Sequence, residues 1–305
     1  MNWLAAVTHL RTRREAGVLV TLASVRGHTP REAGAKMVVS ADRSWGSIGG
    51  GNLEAVAVDR ARALLLDPTA RTQTFTTQLS DKAPASHGVQ CCGGEATVLL
   101  EHLPVRPAVA IFGVGHVGWE LARILARHDL DLHLVDSRAE QLAPERLAVL
   151  HDAEASVHPH AVPMLPELVL GELPRGCDVL VLTHDHAEDA ALVDAALRLV
   201  ADDDGRLATI GLIGSSAKWA RFRAMLRREG HPESALQRVT TPIGLPGLTG
   251  KEPAVIAVGV AARLLEAFQE RAAVRGDLRS STASAQEEHA VAPDQLEPSP
   301  TPARP

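Results

Sequence analysis

The chain has 305 residues, a hydrophobic fraction of 45% and a formal net charge of -6 at pH 7. This length leaves room for two domains of about 150 residues each. The negative balance, without any basic patch, argues against nucleic-acid binding, and no apolar run approaches the roughly 20 residues that a membrane-spanning helix needs.

The first block, residues 1–103, is predicted as a small α+β domain. Strands are expected at three apolar segments: 17–25, 36–40 and 96–101. A glycine loop at 46–51 precedes a predicted helix from Leu53 to Leu66, with Asn52 as its expected N-cap. Strands, one helix and strands again favour an α+β arrangement.

A proline-punctuated linker at 104–107 separates this block from a second predicted domain, residues 104–270. Strands are expected at 108–112, 131–136, 178–183 and 208–214. A helical pattern follows each strand, which indicates a Rossmann-like, doubly wound parallel sheet. Residues 271–305 are rich in Ser, Ala, Pro, Gln and Glu and are predicted as a disordered tail.

A glycine pattern joins the first strand of the second domain to its helix. Gly113, Gly115 and Gly118 have the G-x-G-x-x-G spacing, and His116 lies at the predicted helix start. Backbone amides and the helix dipole favour an anion there, and Asp136 ends the next strand where a ribose hydroxyl would bind. The alternative is a loop that packs helix against strand and holds no ligand.

Two of the three cysteines are adjacent in the segment Gln90-Cys91-Cys92-Gly93-Gly94. A thiolate is a nucleophile and a soft metal ligand, and flanking glycines let the backbone approach a bound group. No C-x-x-C partner is present, which makes zinc a poor fit. Buried, inert cysteines are the alternative. An odd cysteine count and the absence of a secretory signal predict reduced thiols in a cytoplasmic protein.

Two further segments carry polar groups at predicted strand ends. His184 and His186 flank Asp185 where doubly wound sheets bind ligands, so they are candidates for a metal or an anion, or form an ordinary polar loop. The helix after Gly214 carries Lys218, Arg221 and Arg223, which indicate either an anion site or a solvated basic face.

Taken in order, the motifs resemble those of the xanthine dehydrogenase accessory proteins, the XdhC/CoxI-type maturation factors. The resemblance covers about residues 17–265 and rests on the ordered blocks GHTPREAGAKM, GSIGGGNLE, QCCGG, FGVGHVG, THDHAED, GLIGSSAKWARF and PIGLPGLTGKEPAVIA. It implies a chaperone that binds the molybdenum cofactor, supports its sulfuration and inserts it into the apo-xanthine dehydrogenase molybdenum subunit.

The resemblance also implies a cysteine desulfurase as sulfur donor and makes Cys91 or Cys92 the candidate contact with the metal or its sulfur. Gly93, Gly94 and the Gly113 loop would then hold the rest of the cofactor. A homodimer is compatible with two domains and a long C-terminal helix. Two alternatives remain: an NAD-dependent oxidoreductase that uses Gly113, Gly115, Gly118 and Asp136, and a regulatory nucleotide sensor.

Overall fold

A computed structural model of the chain describes residues 1–67, 71–79 and 93–287, of which 272–287 are described as backbone only. The chain divides into two compact units: Met1–Val105 together with the described residues from Glu270 onward, and Arg106–Gln269. The division falls within the proline-punctuated segment of the sequence, 104–107.

The first unit is an α+β domain with one antiparallel sheet. Its elements are α1 (Trp3–Arg13), β1 (Gly17–Arg26), β2 (Lys36–Val39), β3 (Ser44–Gly46), α2 (Gly51–Leu66), β4 (Thr72–Gln78) and β5 (Glu95–Leu103). The strand order is β3-β2-β1-β5-β4, and every neighbouring pair is antiparallel. The predicted fold class of this part is confirmed.

The core of the first unit is formed by one face of a strand and one face of a helix. In β1, Val18, Val20 and Leu22 alternate with less buried residues, and each is 0% exposed. They pack against a stripe on α2 that includes Leu53 and Ala57. Burying one such aliphatic side chain stabilises a fold by about 1.5–3 kcal/mol, so this layer is what holds α2 on the sheet.

The second unit contains the parallel sheet that the sequence predicts. Its elements are β6 (Ala108–Phe112), α3 (His116–Leu125), β7 (Asp131–Asp136), α4 (Pro144–Leu147), β8 (Ser156–Ala161), β9 (Cys177–Val181), α5 (His186–Asp202), β10 (Leu207–Leu212), α6 (Ser216–Arg228), α7 (Glu233–Leu236), β11 (Val239–Thr240) and the part of α8 (Pro253–Glu287) that precedes Glu270. The order is β11-β10-β9-β6-β7-β8, with all pairs parallel. This doubly wound order confirms the Rossmann-like prediction.

Both faces of the second sheet are covered by helices, which is why its strands are apolar on both sides. One face packs against α5 and α6, through residues such as Leu192 and Leu226. The other face packs against α3 and α8, through residues such as Leu121 and Val260. The strand order reverses direction between β6 and β9, so the topological switch point lies between the carboxyl ends of these two strands.

The helix α8 continues beyond the point where the sequence analysis placed the start of the tail. That prediction put a disordered tail at 271–305, whereas the backbone is helical through Glu287. Residues 271–287 include four Ala and three Arg, which are good helix formers. Residues 288–305 lie outside the described part of the chain. None of the helices in the described ranges has the length and apolar character that crossing a bilayer requires.

Candidate functional site

The glycine loop lies at the switch point of the parallel sheet. The amide of Gly113 donates to the carbonyl of Val135 at 2.8 Å, which ties the end of β6 to β7. Gly113 has φ +96°, and a Cβ there would lie 2.5 Å from the carbonyl of Leu182, just past β9. Only glycine therefore fits this approach of one strand end to the other.

The other two glycines of the motif, Gly118 and Gly115, have different roles. A Cβ at Gly118 would meet the carbonyl oxygen of Gly113 at 2.4 Å, so this glycine lets α3 pack against the loop. A Cβ at Gly115 would meet nothing within 4 Å. Gly115 is the N-cap of α3 and, among the described residues, no side chain caps this helix. The N-terminus of α3, with exposed His116 as its first residue, is therefore open to an anion.

Asp136 lies at the site, but its side chain is hydrogen-bonded to other groups of the protein. Its side chain is 2% exposed. Oδ2 accepts from the Val114 amide at 2.7 Å and from Arg138 Nη2 at 3.0 Å. Oδ1 accepts from the amide and the Nε of Arg138, both at 2.9 Å. Asp136 therefore fastens the glycine loop and Arg138, and sequence reasoning missed Arg138 altogether.

The ionisation of Asp136 follows from these contacts. Burial on its own raises the pKa of the carboxyl, but the hydrogen bonds from Arg138 and from the Val114 amide together outweigh it, so the pKa lies below its ordinary value. Asp136 is consequently a carboxylate at neutral pH, paired with a guanidinium whose side chain is 30% exposed.

The predicted histidine segment lies at the carboxyl end of β9. Asp185 caps α5 by accepting from the Ala187 amide at 2.6 Å. His184 and His186 are both exposed, and the ring of His186 packs edge-on against Phe222 with 6.3 Å between centroids. The two imidazoles therefore border the switch-point crevice, and Asp185 acts as a helix cap.

Behind this segment lies a buried ion pair that the sequence analysis read differently. Lys218, weighed there as part of an anion site or a solvated face, is bonded to Asp189, whose side chain is 0% exposed. Lys218 Nζ also donates to the Ile213 carbonyl at 2.8 Å, and Thr183 Oγ1 donates to Asp189 at 2.7 Å. The pair joins α6 to α5 and holds the loop after β9 in place.

One more carboxylate borders the crevice. Glu188, in the first turn of α5, accepts a hydrogen bond from Ser137 Oγ at 3.0 Å. Burial raises the pKa of Glu188, and the nearby Asp136 carboxylate adds to this, while the hydrogen bond from Ser137 acts in the opposite direction. The raised pKa of Glu188 contrasts with the lowered pKa of Asp136, so a proton removes the charge of Glu188 more easily than that of Asp136.

A cleft of about 610 Å³ adjoins the first turns of α3 and α8. Its lining includes His116, Trp119, Arg146 and Glu252. The guanidinium of Arg146 lies 5.2 Å from the centre of the Trp119 ring, a distance suited to a cation–π contact. The cleft begins at His116, so a ligand at the α3 N-terminus has room to extend along this side of the helix.

In the first unit, three of the sequence motifs meet at one end of the sheet. A Cβ at Gly94 would lie 2.3 Å from the carbonyl oxygen of His28. A Cβ at Gly49 would lie 2.6 Å from Pro30 Cγ. Gly93 donates to the Leu79 carbonyl at 3.0 Å, which fixes the start of β5. The GHTPRE turn, the IGGG loop and the glycine pair Gly93–Gly94 therefore converge. Cys91 and Cys92 lie outside the described residues.

The helix start in this unit differs from the predicted one. The N-cap of α2 is Gly50 and the helix begins at Gly51, while Asn52, the predicted cap, is 7% exposed within the first turn. The carboxylate of Glu54 replaces a capping side chain: it accepts from Ser47 Oγ at 2.5 Å, from the Gly50 amide at 3.1 Å and from the Ile48 amide at 3.2 Å. The signal was an acid in the first helical turn.

Metal ligation cannot be assigned within the part of the chain that the structure describes. In those ranges no group of three or more His, Cys, Asp or Glu side chains is arranged to hold a metal ion. Cys177, the cysteine that falls within them, is 0% exposed at the start of β9. The predicted thiol ligands, Cys91 and Cys92, lie in the segment that is not described.

Two family models match this chain. The model described as "XdhC Rossmann domain" matches residues 109–264, and the model described as "XdhC and CoxI family" matches residues 10–76. The first covers half of the chain and falls on the parallel-sheet unit. The second falls on the antiparallel-sheet unit and includes β1, β2, the IGGG loop and α2.

Proteins similar to this chain include two curated relatives and a solved structure. The uncharacterized protein YqeB of Escherichia coli K12 is 26% identical over 271 residues, covering 87% of this chain and 46% of that protein. A UDP-N-acetylmuramoylalanine–D-glutamate ligase of Thermobifida fusca is 28% identical over 152 residues, covering 44% of this chain and 30% of the ligase. The chain thus spans less than half the length of these relatives.

The solved structure is described as a xanthine dehydrogenase from Bacillus halodurans. It is 19% identical, with a TM-score of 0.43, and the match covers 89% of this chain and 97% of that one.

Proposed function

Because this chain belongs to the XdhC and CoxI family, we propose that it is an accessory protein in the maturation of a xanthine dehydrogenase. In this proposal it binds the molybdenum cofactor, shields it while a terminal oxygen is replaced by sulfur, and delivers it to the apo-enzyme's molybdenum subunit. A cysteine desulfurase supplies the sulfur. The cofactor is cargo, and the chain is a chaperone of the cytoplasm that works as a homodimer.

The observation that carries the proposal is that the two family models fall on both units, at 10–76 and 109–264. A Rossmann unit alone occurs with many unrelated functions. The antiparallel unit, with its convergent GHTPRE turn, IGGG loop and Gly93–Gly94 pair, is the part that a simple dehydrogenase would leave without a role.

The second unit suits the anionic part of this cargo. Molybdopterin carries one phosphate, and the N-terminus of α3 has uncapped amides beside Gly115, where a Cβ would meet open space. The helix dipole and these amides favour a phosphate there. The exposed histidines His184 and His186 border the same crevice and would contact the ligand from the β9 side.

The first unit would supply the soft ligands. Cys91 and Cys92 precede Gly93 and Gly94, which lie beside the GHTPRE turn. Thiolates are the protein ligands that suit a soft metal centre and its sulfur. The proposal therefore assigns the thiols to residues 1–103 and the phosphate site to residues 104–270.

The test is retention of molybdenum and pterin by the full chain. The protein is purified anaerobically, incubated with molybdenum cofactor and desalted, and bound molybdenum and released pterin are then measured. Near-stoichiometric retention is expected. The double variant Cys91→Ser/Cys92→Ser should lose most of it, while Cys177→Ala, which alters the buried third cysteine, should retain it.

Two results would count against the proposal. If the wild-type chain retains no pterin, the chaperone role fails. If the double variant retains as much molybdenum as the wild type, the chaperone role survives but the thiols are not ligands. Circular dichroism of each variant shows whether it is folded, so that a loss of binding can be assigned to the site.

A further inference from the structure

The geometry around Asp136 points to a second ligand preference in the parallel-sheet unit: we propose that Arg138 recognises a phosphate on the ribose of a bound nucleotide. The Rossmann unit would then bind a 2′-phosphorylated nucleotide in preference to the unphosphorylated one. This inference rests on the proposed function only in taking the glycine loop as a phosphate site.

Asp136 is not available to accept a hydrogen bond from a ribose hydroxyl. In dinucleotide sites of this fold, the acid that ends the second strand accepts hydrogen bonds from the ribose hydroxyl. A carboxylate offers about four lone-pair positions. Here four N–H donors already point at Asp136: the Val114 amide and, from Arg138, the amide, Nε and Nη2. With its side chain 2% exposed, Asp136 is also shielded from a ligand.

A cation lies directly beside Asp136 at this strand end. Arg138 lies two residues beyond Asp136, and an arginine near this strand end is how the fold accommodates a 2′-phosphate. Two of the five guanidinium N–H groups are directed at Asp136 through Nε and Nη2. The rest remain for a ligand, since its side chain is 30% exposed.

The guanidinium of Arg138 is held in place before a ligand binds. A bidentate carboxylate pair fixes the plane of an arginine, and a fixed donor loses less conformational entropy on binding. Asp136 in turn is fastened to the glycine loop by the Val114 amide. The loop that would hold one phosphate and the side chain that would hold the other are thus joined by a single carboxylate.

The negative charges of two carboxylates counteract the attraction of Arg138 for a phosphate. Glu140 and Glu188 both act electrostatically on Arg138. If they merely neutralise it, the Asp136–Arg138 pair is only a brace for the loop. The two roles can be told apart by binding. If Arg138 binds a phosphate, the protein distinguishes two ligands that differ by one phosphate; if Arg138 only braces the loop, it does not.

The experiment is calorimetric titration of the full chain with 5′-AMP and with 2′,5′-ADP, which differ by the 2′-phosphate, followed by NAD⁺ and NADP⁺. The phosphorylated member of each pair is expected to bind at least about tenfold more tightly, as hydrogen bonds to a charged group contribute in that range. The preference should weaken as salt concentration rises.

Three variants assign the effect. Arg138→Gln can still donate to Asp136 but has no charge, and should remove the preference while the affinity for 5′-AMP stays within about twofold, since hydrogen bonding to the brace is kept. Arg138→Lys keeps the charge without the bidentate fork and should retain part of the preference. Arg198→Ala removes an exposed arginine that is paired with Asp194 on α5, and should leave the preference unchanged.

Equal affinities for the two members of each pair in the wild type would overturn the inference, and so would failure of both to bind. A preference that persists in folded Arg138→Gln would also overturn it. Molybdenum and pterin retention is measured separately, so the chaperone proposal can fail while this preference stands, and the reverse.

Discussion

Both units place a glycine-rich loop before a helix, and the two loops differ in where their carboxylate comes from. Before α2, the carboxylate of Glu54 belongs to the helix itself and accepts from the Ile48 and Gly50 amides. Before α3, the carboxylate of Asp136 belongs to the neighbouring strand and accepts from the Val114 amide. The first arrangement places a negative charge at the helix start, where an anion would bind, and the second leaves that start open.

The difference teaches that a run of glycines does not by itself make a phosphate site. Three consecutive glycines at 49–51 all have positive φ, yet their loop is braced by its own helix. In the 113–118 loop only Gly113 has positive φ among the three motif glycines, and the middle one faces open space. The position of the acid decides which loop can receive a ligand.

The largest expected effect comes from exchanging the structural glycine of the second loop. Gly113→Ala would force a side chain into φ +96° and place its Cβ 2.5 Å from the Leu182 carbonyl. Backbone strain and overpacking each cost about 1–3 kcal/mol, so a loss of about 3–5 kcal/mol is expected in chemical denaturation.

Gly115→Ala is the matched control, because its Cβ meets nothing within 4 Å. Its stability should change by less than about 1 kcal/mol, the usual range for an N-cap exchange. Binding of 2′,5′-ADP should nevertheless weaken, since the added methyl group lies where the ligand approaches. Equal destabilisation by the two variants would contradict this division between a structural and a ligand-facing glycine.

How far the sequence could predict these loops depends on which contacts are local. The apolar segments that form β1, β2, β5, β6, β7, β9 and β10 predicted most strands of both sheets, because burial leaves apolar residues close together in the sequence. Gly113, Gly115 and Gly118 were predicted from their spacing. The pairing of Asp136 with Arg138 could not be predicted in this way. Whether a carboxylate faces a ligand or an arginine depends on the directions of the side chains, which the spacing does not reveal.

The other misses have several physical origins. Lys218 was judged from its own helix, where it is one of several basic residues, whereas its partner Asp189 lies on α5 and the ion pair forms only when the two helices pack on one sheet face. The brace by Glu54 had a local signal in the first turn of α2, but Asn52 was a more familiar cap. Strand β4, with the sequence TQTFTTQ, carries little apolar character to predict it.

The next effect tests the brace in the first loop. Glu54→Ala would leave the Ile48 and Gly50 amides and the Ser47 hydroxyl without their acceptor. Hydrogen bonds to a charged group contribute about 1.5–3 kcal/mol, so a loss of about 2 kcal/mol is expected in the unfolding of the first unit. Arg62→Ala, an exposed change on the same helix, should have little effect. Equal losses in both would show that Glu54 is not a brace.

A smaller effect should depend on pH. Although burial raises the pKa of Asp136, its hydrogen bonds hold that pKa below the ordinary value, so its contribution to stability is present above the unfolded pKa and is lost as the pH falls through the folded one. Asp136→Asn should therefore cost about 1–2 kcal/mol near pH 7 and progressively less below about pH 4.

The control for Asp136 is an exposed carboxylate of the same unit. Asp202→Asn, an exposed change at the end of α5, should change stability little. Denaturation curves of the three proteins at several pH values give the comparison. A cost for Asp136→Asn that is constant with pH would mean that the charge of Asp136 does not stabilise the loop.

The smallest effect concerns the second acid at the open loop. Burial raises the pKa of Glu188, so its ionised form is penalised in the folded state above the unfolded pKa. Glu188→Gln keeps an acceptor for Ser137 and removes that charge. Because the residue is partly solvated, the gain in stability at pH 7 should be less than about 0.5 kcal/mol, and it should vanish below about pH 4.

The same change sharpens the contrast between the loops. Glu188 acts electrostatically on Arg138, so removing its charge should tighten the binding of 2′,5′-ADP by about two- to threefold, with a smaller effect on 5′-AMP. Ser137→Ala, which removes the donor but keeps the carboxylate, is the control and should not tighten binding. If Glu188→Gln weakens binding instead, the carboxylate contacts the ligand directly, and the open loop would then resemble the first one in having an acid as part of its anion-facing edge.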